Sequence, residues 1–414
     1  MAFVEFTAEM KKTHKILLPN MCDIHFRILE KMFKSYGYDI ELLTNTNSEV
    51  IDEGLKYIHN DMCYPALLTA GQMIDALKSG RYDLNKVALI MSQSGGGCRA
   101  SNYIHLIRKA LADMGLGHIP VISFSTSGLE KHSGFEISLA ILRKLIGALV
   151  YGDLMMLLSN QVRPYEVNKG EADKLVATWV DKVTDLYEQG TGFKSSHMKK
   201  IFPDIVKGFE NIEVNIVPKV KVGVVGEIYV KYAPIANNNL EKFLAEQGCE
   251  VMVPGIMGFV LYCMDVGLID HNLYGGTFGK KFSGQLLYNF LEKFETTLIN
   301  SLNGSRFTKP ATFKHIKELA EPILGLGCKM GEGFLLTGEI MELIEHGYGN
   351  VVCAQPFGCL PNHIAGKGMI RKIIGVEPNA NIVSIDYDPG ATKVNQENRI
   401  KLMLAVAKER LEQE

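Results

Sequence analysis

The sequence predicts an α/β protein of two Rossmann-like lobes with mostly parallel sheets, joined by a helical connector. Short apolar runs that resemble buried strands alternate with segments of helical periodicity, which is typical of parallel sheets flanked by helices. A strand, a glycine turn with a cysteine and a helix follow one another near residue 90 and again near residue 355. Residues 135–209 show helical periodicity only. We therefore expect two lobes, related as an approximate internal repeat, around a helical segment.

The first lobe is predicted to span residues 1–134. Gly37 marks the end of its first long helix, and Pro65 suits the first turn of a later one. The expected strands are residues 14–18, 39–43, 87–91 and 119–124, and the expected helices are residues 24–35, 66–78 and 103–114.

The helical connector is predicted over residues 135–215 and the second lobe over residues 216–414. The second lobe repeats the order of the first, and the segment 333–344 corresponds to the segment 64–77. Each of these segments precedes a strand and then a glycine–cysteine turn, Gly97-Cys98 in the first lobe and Gly358-Cys359 in the second. A helical insertion is expected near residues 257–324.

Composition and charge exclude several classes of partner. The 414 residues are 47% hydrophobic, which is ample for the cores of two domains. The formal net charge is −2 with scattered Lys and Arg, which argues against nucleic acid or an anionic membrane as a partner. The first residues lack the apolar core of a signal peptide, and the apolar stretch 145–158 is short for a membrane span. We expect a cytoplasmic protein whose eight cysteines are reduced.

The turn after the predicted strand 87–91 has the sequence Ser92-Gln93-Ser94-Gly95-Gly96-Gly97-Cys98-Arg99-Ala100-Ser101-Asn102. Free backbone N–H groups at such a turn favour negative charge, either a phosphate or an anionic cluster bound to thiolates. The chain contains no G-x-x-x-x-G-K-[ST] loop, and no G-x-G-x-x-G follows the first strand of either lobe. Gly96, Gly97 and Gly358 are therefore candidate cofactor-binding residues. Arg99 offsets cluster charge or pairs with a surface acid, and the sequence leaves both interpretations open.

The eight cysteines fall into two groups. Cys249 enters a strand and Cys263 lies in an apolar pattern, so both are interpreted as small buried hydrophobes. The other six lie at turns or at the ends of predicted elements, and none belongs to the close pairs that zinc prefers. Their wide spacing favours an iron–sulfur cluster held in a cleft, whereas scattered buried thiols without metal are the alternative. These six candidate metal ligands are Cys22, Cys63, Cys98, Cys328, Cys353 and Cys359.

Three motifs resemble the 2-hydroxyacyl-CoA dehydratase superfamily, and most closely its branch of activase-related and double-cubane cluster proteins. They are Asn60-Asp61-Met62-Cys63-Tyr64-Pro65-Ala66, the turn at Ser92–Tyr103 and Gln355-Pro356-Phe357-Gly358-Cys359-Leu360-Pro361-Asn362-His363. The resemblance covers most of the chain. It implies two cubanes joined by a sulfide, an 8Fe-9S double-cubane cluster, with a single 4Fe-4S cluster as the alternative. Carried over, one cubane would take Cys22, Cys63 and Cys98, and the other would take Cys328, Cys353 and Cys359.

The same resemblance implies a function and a partner. The chain would be a low-potential reductase of a small molecule, and a separate ATP-hydrolysing iron–sulfur activase would deliver its electrons one at a time. The alternatives are a component of an (R)-2-hydroxyacyl-CoA dehydratase and a non-enzymatic iron–sulfur protein for electron transfer. A homodimer is also among the expectations.

Glu227 and Tyr229 are the candidate catalytic residues. They follow the first predicted strand of the second lobe, where a side chain can reach the cleft. Delivery of electrons to a substrate also needs a proton donor, and a carboxyl or a phenol can serve. A carboxylate that only accepts hydrogen bonds at a strand end is the alternative for Glu227.

Overall fold

The computed structural model describes residues 3–59, 61–94, 96–125 and 130–413. Asn60 and Gly95 of the cysteine motifs and the predicted strand-end residues 126–128 lie outside these ranges. The described chain contains two four-stranded sheets, and every strand pairing in them is parallel. The predicted α/β class with two parallel lobes is thereby confirmed.

The two sheets have the same strand order. The first sheet is ordered β2-β1-β3-β4 and the second is ordered β6-β5-β7-β8. In the first sheet β2 is added on one side of β1 and β3 on the other, and in the second sheet β6 and β7 are added on opposite sides of β5. Each sheet therefore has its topological switch point at an equivalent place. The strands are β1 (Lys15–Leu18), β2 (Asp39–Leu42), β3 (Val87–Ser92), β4 (Val121–Phe124), β5 (Lys221–Gly226), β6 (Glu250–Met252), β7 (Asn350–Pro356) and β8 (Asn381–Tyr387).

The helices of the first lobe follow the predicted order. The helix at residues 64–78 has a proline in its first turn, as expected, and most of its residues are buried. A short 3₁₀ turn at Arg99–Asn102 precedes the helix after β3. The helices are α1 (Met10–Thr13), α2 (Asp23–Ser35), α3 (Ser48–Tyr57), α4 (Tyr64–Lys78) and α5 (Tyr103–Asp113).

The segment predicted as a connector forms three helices, α6 (Leu139–Val162), α7 (Glu171–Glu188) and α8 (Ser195–Glu210). Helix α6 is apolar on most of its surface, which is typical of a helix buried on all sides. It packs against α2 of the first lobe and against β6 of the second. A helix in contact with both lobes fixes one against the other, so the connector belongs to the shared core.

The second lobe carries the predicted helical insertion as α11, α12 and α13. The exposed face of the insertion is apolar, with Leu273, Tyr274, Phe278, Phe282 and Leu286 open to solvent. Cys249 is buried as expected, but Cys263 is exposed on α11, so its interpretation as a buried hydrophobe is wrong. The helices are α9 (Ile228–Tyr232), α10 (Leu240–Glu246), α11 (Ile256–Tyr274), α12 (Phe278–Ser301), α13 (Phe313–Ala320), α14 (Phe334–Glu345), α15 (Ile370–Val376) and α16 (Lys393–Gln413).

One helix in the described part of the chain, α11, is long and apolar enough to cross a membrane by length and composition. The protein buries 39% of that window, and α11 packs against α6 and α12. A single helix of this kind is weak evidence for a span, because core helices meet the same criteria. The apolar stretch 145–158 lies in the buried helix α6, as predicted.

Candidate functional site

The glycine–cysteine turns of the two lobes meet where the third strand of each sheet ends. The Tyr64 N–H donates a 3.0 Å hydrogen bond to the Phe357 carbonyl, which joins the start of α4 to the turn after β7. Gly358 has a φ of +75°, and a Cβ there would lie 3.0 Å from the Cα of Cys63. A Cβ on Gly97 would lie 2.4 Å from the Met330 sulfur of the other lobe. Glycine is therefore needed at Gly358, where φ is positive and the neighbour is backbone, whereas the exposed Met330 side chain could move away from a Cβ at Gly97.

Three of the predicted thiols converge at this contact. Cys63 is the N-cap residue of α4, and Cys98 is the N-cap residue of the 3₁₀ turn, where its sulfur accepts a 3.5 Å hydrogen bond from the Ala100 N–H. Cys359 follows Gly358 in the second lobe. The charge of Cys63 affects the pKa of Cys98, and the charge of Cys98 affects that of Cys359. The site thus takes two thiols from the first lobe and one from the second.

The surroundings keep these thiols protonated when no metal is bound. Burial raises the pKa of Cys63, raises that of Cys98 to about 11 and raises that of Cys359 well above its usual value. The Tyr103 hydroxyl lies 2.8 Å from the Cys63 sulfur, and this hydrogen bond lowers the pKa of Cys63 against the larger effect of burial. A metal that binds the thiolates must therefore displace their protons.

A pair of carboxyl groups lies beside the thiols. Glu227 is the N-cap residue of α9 and accepts a 2.9 Å hydrogen bond from the Val230 N–H. Glu332, in the turn before α14, accepts a 3.0 Å hydrogen bond from the Ile228 N–H. Burial raises the pKa of both carboxyls, and the charge of Glu332 raises that of Glu227 further. The shared environment thus favours at least one proton on the pair.

A buried ion pair limits this effect. The Lys231 ammonium lies 3.0 Å from a carboxylate oxygen of Glu339, and both side chains are buried. The positive charge of Lys231 lowers the pKa of Glu227 and of Glu332, although burial has the larger effect on each. The site therefore combines protonated acids with a fixed cation close by.

Three buried tyrosine hydroxyls have no hydrogen-bond partner among the described residues, and two of them lie near this site, whereas the third, that of Tyr187, lies in helix α7. The two near the site belong to Tyr229, a predicted catalytic residue, and to Tyr262 of α11. A Cβ on Gly333 would lie 2.6 Å from the Tyr262 hydroxyl oxygen, so this hydroxyl is close to the turn that carries Glu332. Buried polar groups are almost always paired in native proteins, so these two unpaired hydroxyls stand out as donors that the described residues leave unused.

The structure does not bring all six predicted ligands together. The Cys22 sulfur lies 2.8 Å from Nδ1 of His25, at the start of α2. Cys353 is fully buried within β7, with its sulfur 3.9 Å from the Asn362 side-chain oxygen. Cys328 is half-buried before α14, and its charge acts on Tyr262. Arg99 donates a 2.7 Å hydrogen bond to the Asp61 carbonyl and lowers the pKa of Cys63.

Within the described ranges, no group of three or more His, Cys, Asp or Glu side chains is arranged to hold a single metal ion. A four-iron cluster makes a different demand, since each thiolate binds a different iron. Gly96 lies at the open side of the turn, where a Cβ would meet nothing within 4 Å. The arrangement of Cys63, Cys98 and Cys359 therefore suits a group that spans the cleft better than a single ion.

Sequence reasoning missed three residues of this site: Tyr103, Tyr262 and Glu332. Glu332 carried a local signal, because it stands between Gly331 and Gly333, whose φ values are +59° and +44°. An acid in a tight turn that opens a buried helix is unusual, because its charge is costly to bury. Tyr103 and Tyr262 carried no such signal, because a tyrosine in a helix resembles any other core residue.

Comparison with known proteins adds no family assignment. No family model matches the sequence, and no curated protein matches it significantly.

Proposed function

We propose that this chain is an iron–sulfur protein, a low-potential reductase of a small molecule that receives electrons from a separate ATP-hydrolysing activase. The observation that carries the proposal is the convergence of Cys63, Cys98 and Cys359 from two lobes beside the carboxyl pair Glu227 and Glu332. The resemblance of the cysteine motifs supports the choice of cofactor and of electron donor. We place the protein in the cytoplasm, where its eight free thiols would stay reduced.

The donor set suits an iron–sulfur cluster. The thiols lie at the starts of helical segments, where the dipole and the free N–H groups stabilise negative charge. Arg99 adds a cation near Cys63. When bound, the cluster supplies one-electron transfer at low potential and, with three protein thiolates, an iron open to substrate.

The placement of the thiols favours one four-iron cluster over a double cubane. A double cubane with six ligands would require Cys22 to leave His25 and Cys353 to turn out of a buried strand. Cys328 is half-buried and lies four positions before Glu332, in the segment that precedes α14. We therefore propose Cys63, Cys98 and Cys359 as the ligands.

The remaining residues of the site bind substrate and donate protons. Glu227 and Glu332 hold a proton within a buried environment, and we assign them as the acids that protonate the reduced substrate. The unpaired hydroxyls of Tyr229 and Tyr262 are placed to bind its polar groups.

The test compares matched cysteine variants of the anaerobically purified protein. Cys98→Ala is expected to lose most of its iron and acid-labile sulfide, because a thiolate ligand is removed. Cys249→Ala is the control, since Cys249 is a buried thiol that directly precedes β6 and is not part of the glycine–cysteine turns. Equal iron content in both variants and in the wild type would overturn the ligand assignment. No more than a trace of iron in the wild type would overturn the proposal as a whole.

A further inference from the structure

A second thiol site lies at the start of α2, outside the proposed cluster ligands. The Cys22 sulfur is 2.8 Å from Nδ1 of His25, and Nε2 of His25 is 2.8 Å from a carboxylate oxygen of Asp153. His25 is fully buried and Asp153 is 5% exposed. A thiol bonded to an imidazole that a carboxylate orients is the arrangement of an activated cysteine nucleophile.

The imidazole ring is locked in this position. The Asp153 carboxylate also accepts hydrogen bonds of 2.8 Å each from the Ile256 and Met257 N–H groups at the start of α11. A Cβ on Gly152 would lie 2.2 Å from the His25 ring, so the absence of a side chain there gives the ring its place. The carboxylate and the ring therefore cannot turn away from the thiol.

Cys22 borders a cavity. The cavity has a volume of about 470 Å³, lies between the lobes and is also lined by Asp23 and Ile24 of the first turn of α2. The N–H groups of Asp23 and Ile24 have no hydrogen-bond acceptor among the described residues. Cys22 is the N-cap residue of this 13-residue helix. The helix start therefore stabilises a thiolate and offers donors for a developing oxyanion.

The charge state agrees with this geometry. Burial lowers the pKa of His25, but the Cys22 thiolate and the Asp153 carboxylate outweigh burial and raise it to about 10. His25 is therefore an imidazolium at neutral pH, and its Nδ1 lies in hydrogen-bond contact with the Cys22 sulfur. The second thiol of the same cavity, Cys249, has no imidazole beside it, and burial raises its pKa to about 11.

We propose that Cys22 is the nucleophile of an esterase-type site that takes the acyl group of a small carboxylic ester bound in this cavity. The Sγ–acyl bond forms as the acyl–oxygen bond of the ester breaks, and the leaving alkoxide takes the proton from Nδ1 of His25. Water then adds to the acyl carbon and gives a proton to His25, and the Sγ–acyl bond breaks to restore the thiolate. The net reaction is hydrolysis, without oxidation or reduction. This inference does not rest on the iron–sulfur proposal.

The probe is p-nitrophenyl acetate, applied to the full-length protein as purified. Because Cys263 is exposed and can react unspecifically, the experiment uses Cys263→Ser, in which the burst is expected to be unchanged. We expect one equivalent of p-nitrophenolate per chain in a rapid burst, and mass spectrometry should find one acetyl group on Cys22 and none on Cys249. That internal comparison needs no variant of a buried residue.

Cys22→Ser should abolish the burst and leave the iron content unchanged. The proposal is overturned if the burst survives in Cys22→Ser, if Cys249 is acetylated as readily as Cys22, or if Cys22 stays unmodified. A fall in iron content in Cys22→Ser would also overturn it, because Cys22 would then be a cluster ligand. The iron content of Cys98→Ala tests the iron–sulfur proposal separately, so the two proposals can fail independently.

Discussion

The two lobes share one strand order but supply different chemistry at equivalent places. In each lobe the residue that caps the helix after the first strand lies at the carboxyl edge of the sheet; it is Cys22 in the first lobe and Glu227 in the second. At the start of the later buried helix the first lobe has Cys63, whereas the second has Glu332 in the preceding turn. The first lobe thus supplies mainly thiols and the second mainly acids.

The repeat therefore conserves the strand order of the two lobes but not the chemistry of the residues at equivalent positions. The equivalent turns after β3 and β7 both have a glycine followed by a cysteine, and the close approach of the lobes requires the glycine at Gly358. The remaining positions are free to diverge, since each needs only a helix cap or a turn residue. The first lobe therefore contributes Cys63 and Cys98 to the site, whereas the second contributes Cys359 together with the acids Glu227 and Glu332.

The largest expected effect is the loss of iron when a thiol of the site is removed. Cys359→Ala should lose most of the bound iron, because a ligand is removed from the cleft. Cys353→Ala, six positions earlier but buried within β7, should keep its iron and lose about 1 kcal/mol of stability through a small cavity. Iron analysis and urea unfolding of both variants check this. Loss of iron from Cys353→Ala would instead support six ligands and a double cubane.

Substitution of the two carboxyl groups should separate iron binding from the rate of substrate reduction. Glu227→Gln and Glu332→Gln retain the hydrogen-bond acceptors of the site but cannot donate a carboxyl proton. With a substrate in hand, each should keep the iron content and lower the reduction rate by roughly 10²- to 10⁴-fold. Iron analysis and steady-state rates check this, with Glu241→Gln, a carboxyl that accepts from Asn160, as the matched control. Unchanged rates in both variants would remove the acids from the mechanism.

The raised pKa values predict how stability depends on pH. The folded protein holds a proton on the carboxyl pair at pH values where the unfolded chain, with carboxyl pKa values of about 4.3, has lost it. Stability should therefore fall as pH rises from that value through the raised pKa values. Urea midpoints of the metal-free protein between pH 5 and pH 8 measure this fall. In Glu332→Gln the fall should be shallower, and the same slope in variant and wild type would contradict the assignment.

The smallest expected effects concern the glycine turns. Gly358→Ala should cost about 2 kcal/mol, because its φ is +75° and the added Cβ would crowd the backbone of Cys63. Gly96→Ala should stay within about 0.5 kcal/mol, since a Cβ there meets nothing within 4 Å. Thermal unfolding of the two variants checks this. Equal stabilities would show that the lobes do not need the close approach at Gly358.

Much of the fold was predictable because it depends on local signals. Alternating apolar runs and helical segments predict the parallel sheets, and the repeated Gly97-Cys98 and Gly358-Cys359 turns predict the equivalent strand order. The helix α6 was predicted as part of a connector, but its contacts with both lobes depend on tertiary packing, which sequence periodicity does not encode.

The candidate site was predictable only in part. A cysteine that directly follows a glycine in a turn between a strand and a helix is a recognisable pattern, and it identifies Cys98 and Cys359 as candidates. The assignment of three ligands per lobe comes from the family resemblance and stays a prediction. The sequence offers no sign that Cys22 has His25 and Asp153 as partners, because Asp153 lies 128 positions away from His25. Likewise the pairing of Glu227 with Glu332 joins residues 105 positions apart, and no spacing rule connects them.

We propose that a single cluster spans the lobes on Cys63, Cys98 and Cys359. The most direct test is the number of irons and acid-labile sulfides per chain in anaerobically purified protein, together with its EPR spectrum after reduction. Three thiolates and one open iron predict about four irons per chain and the signal of one reduced four-iron cluster. About eight irons per chain would overturn the single cluster, because a double cubane requires protein thiolates beyond these three.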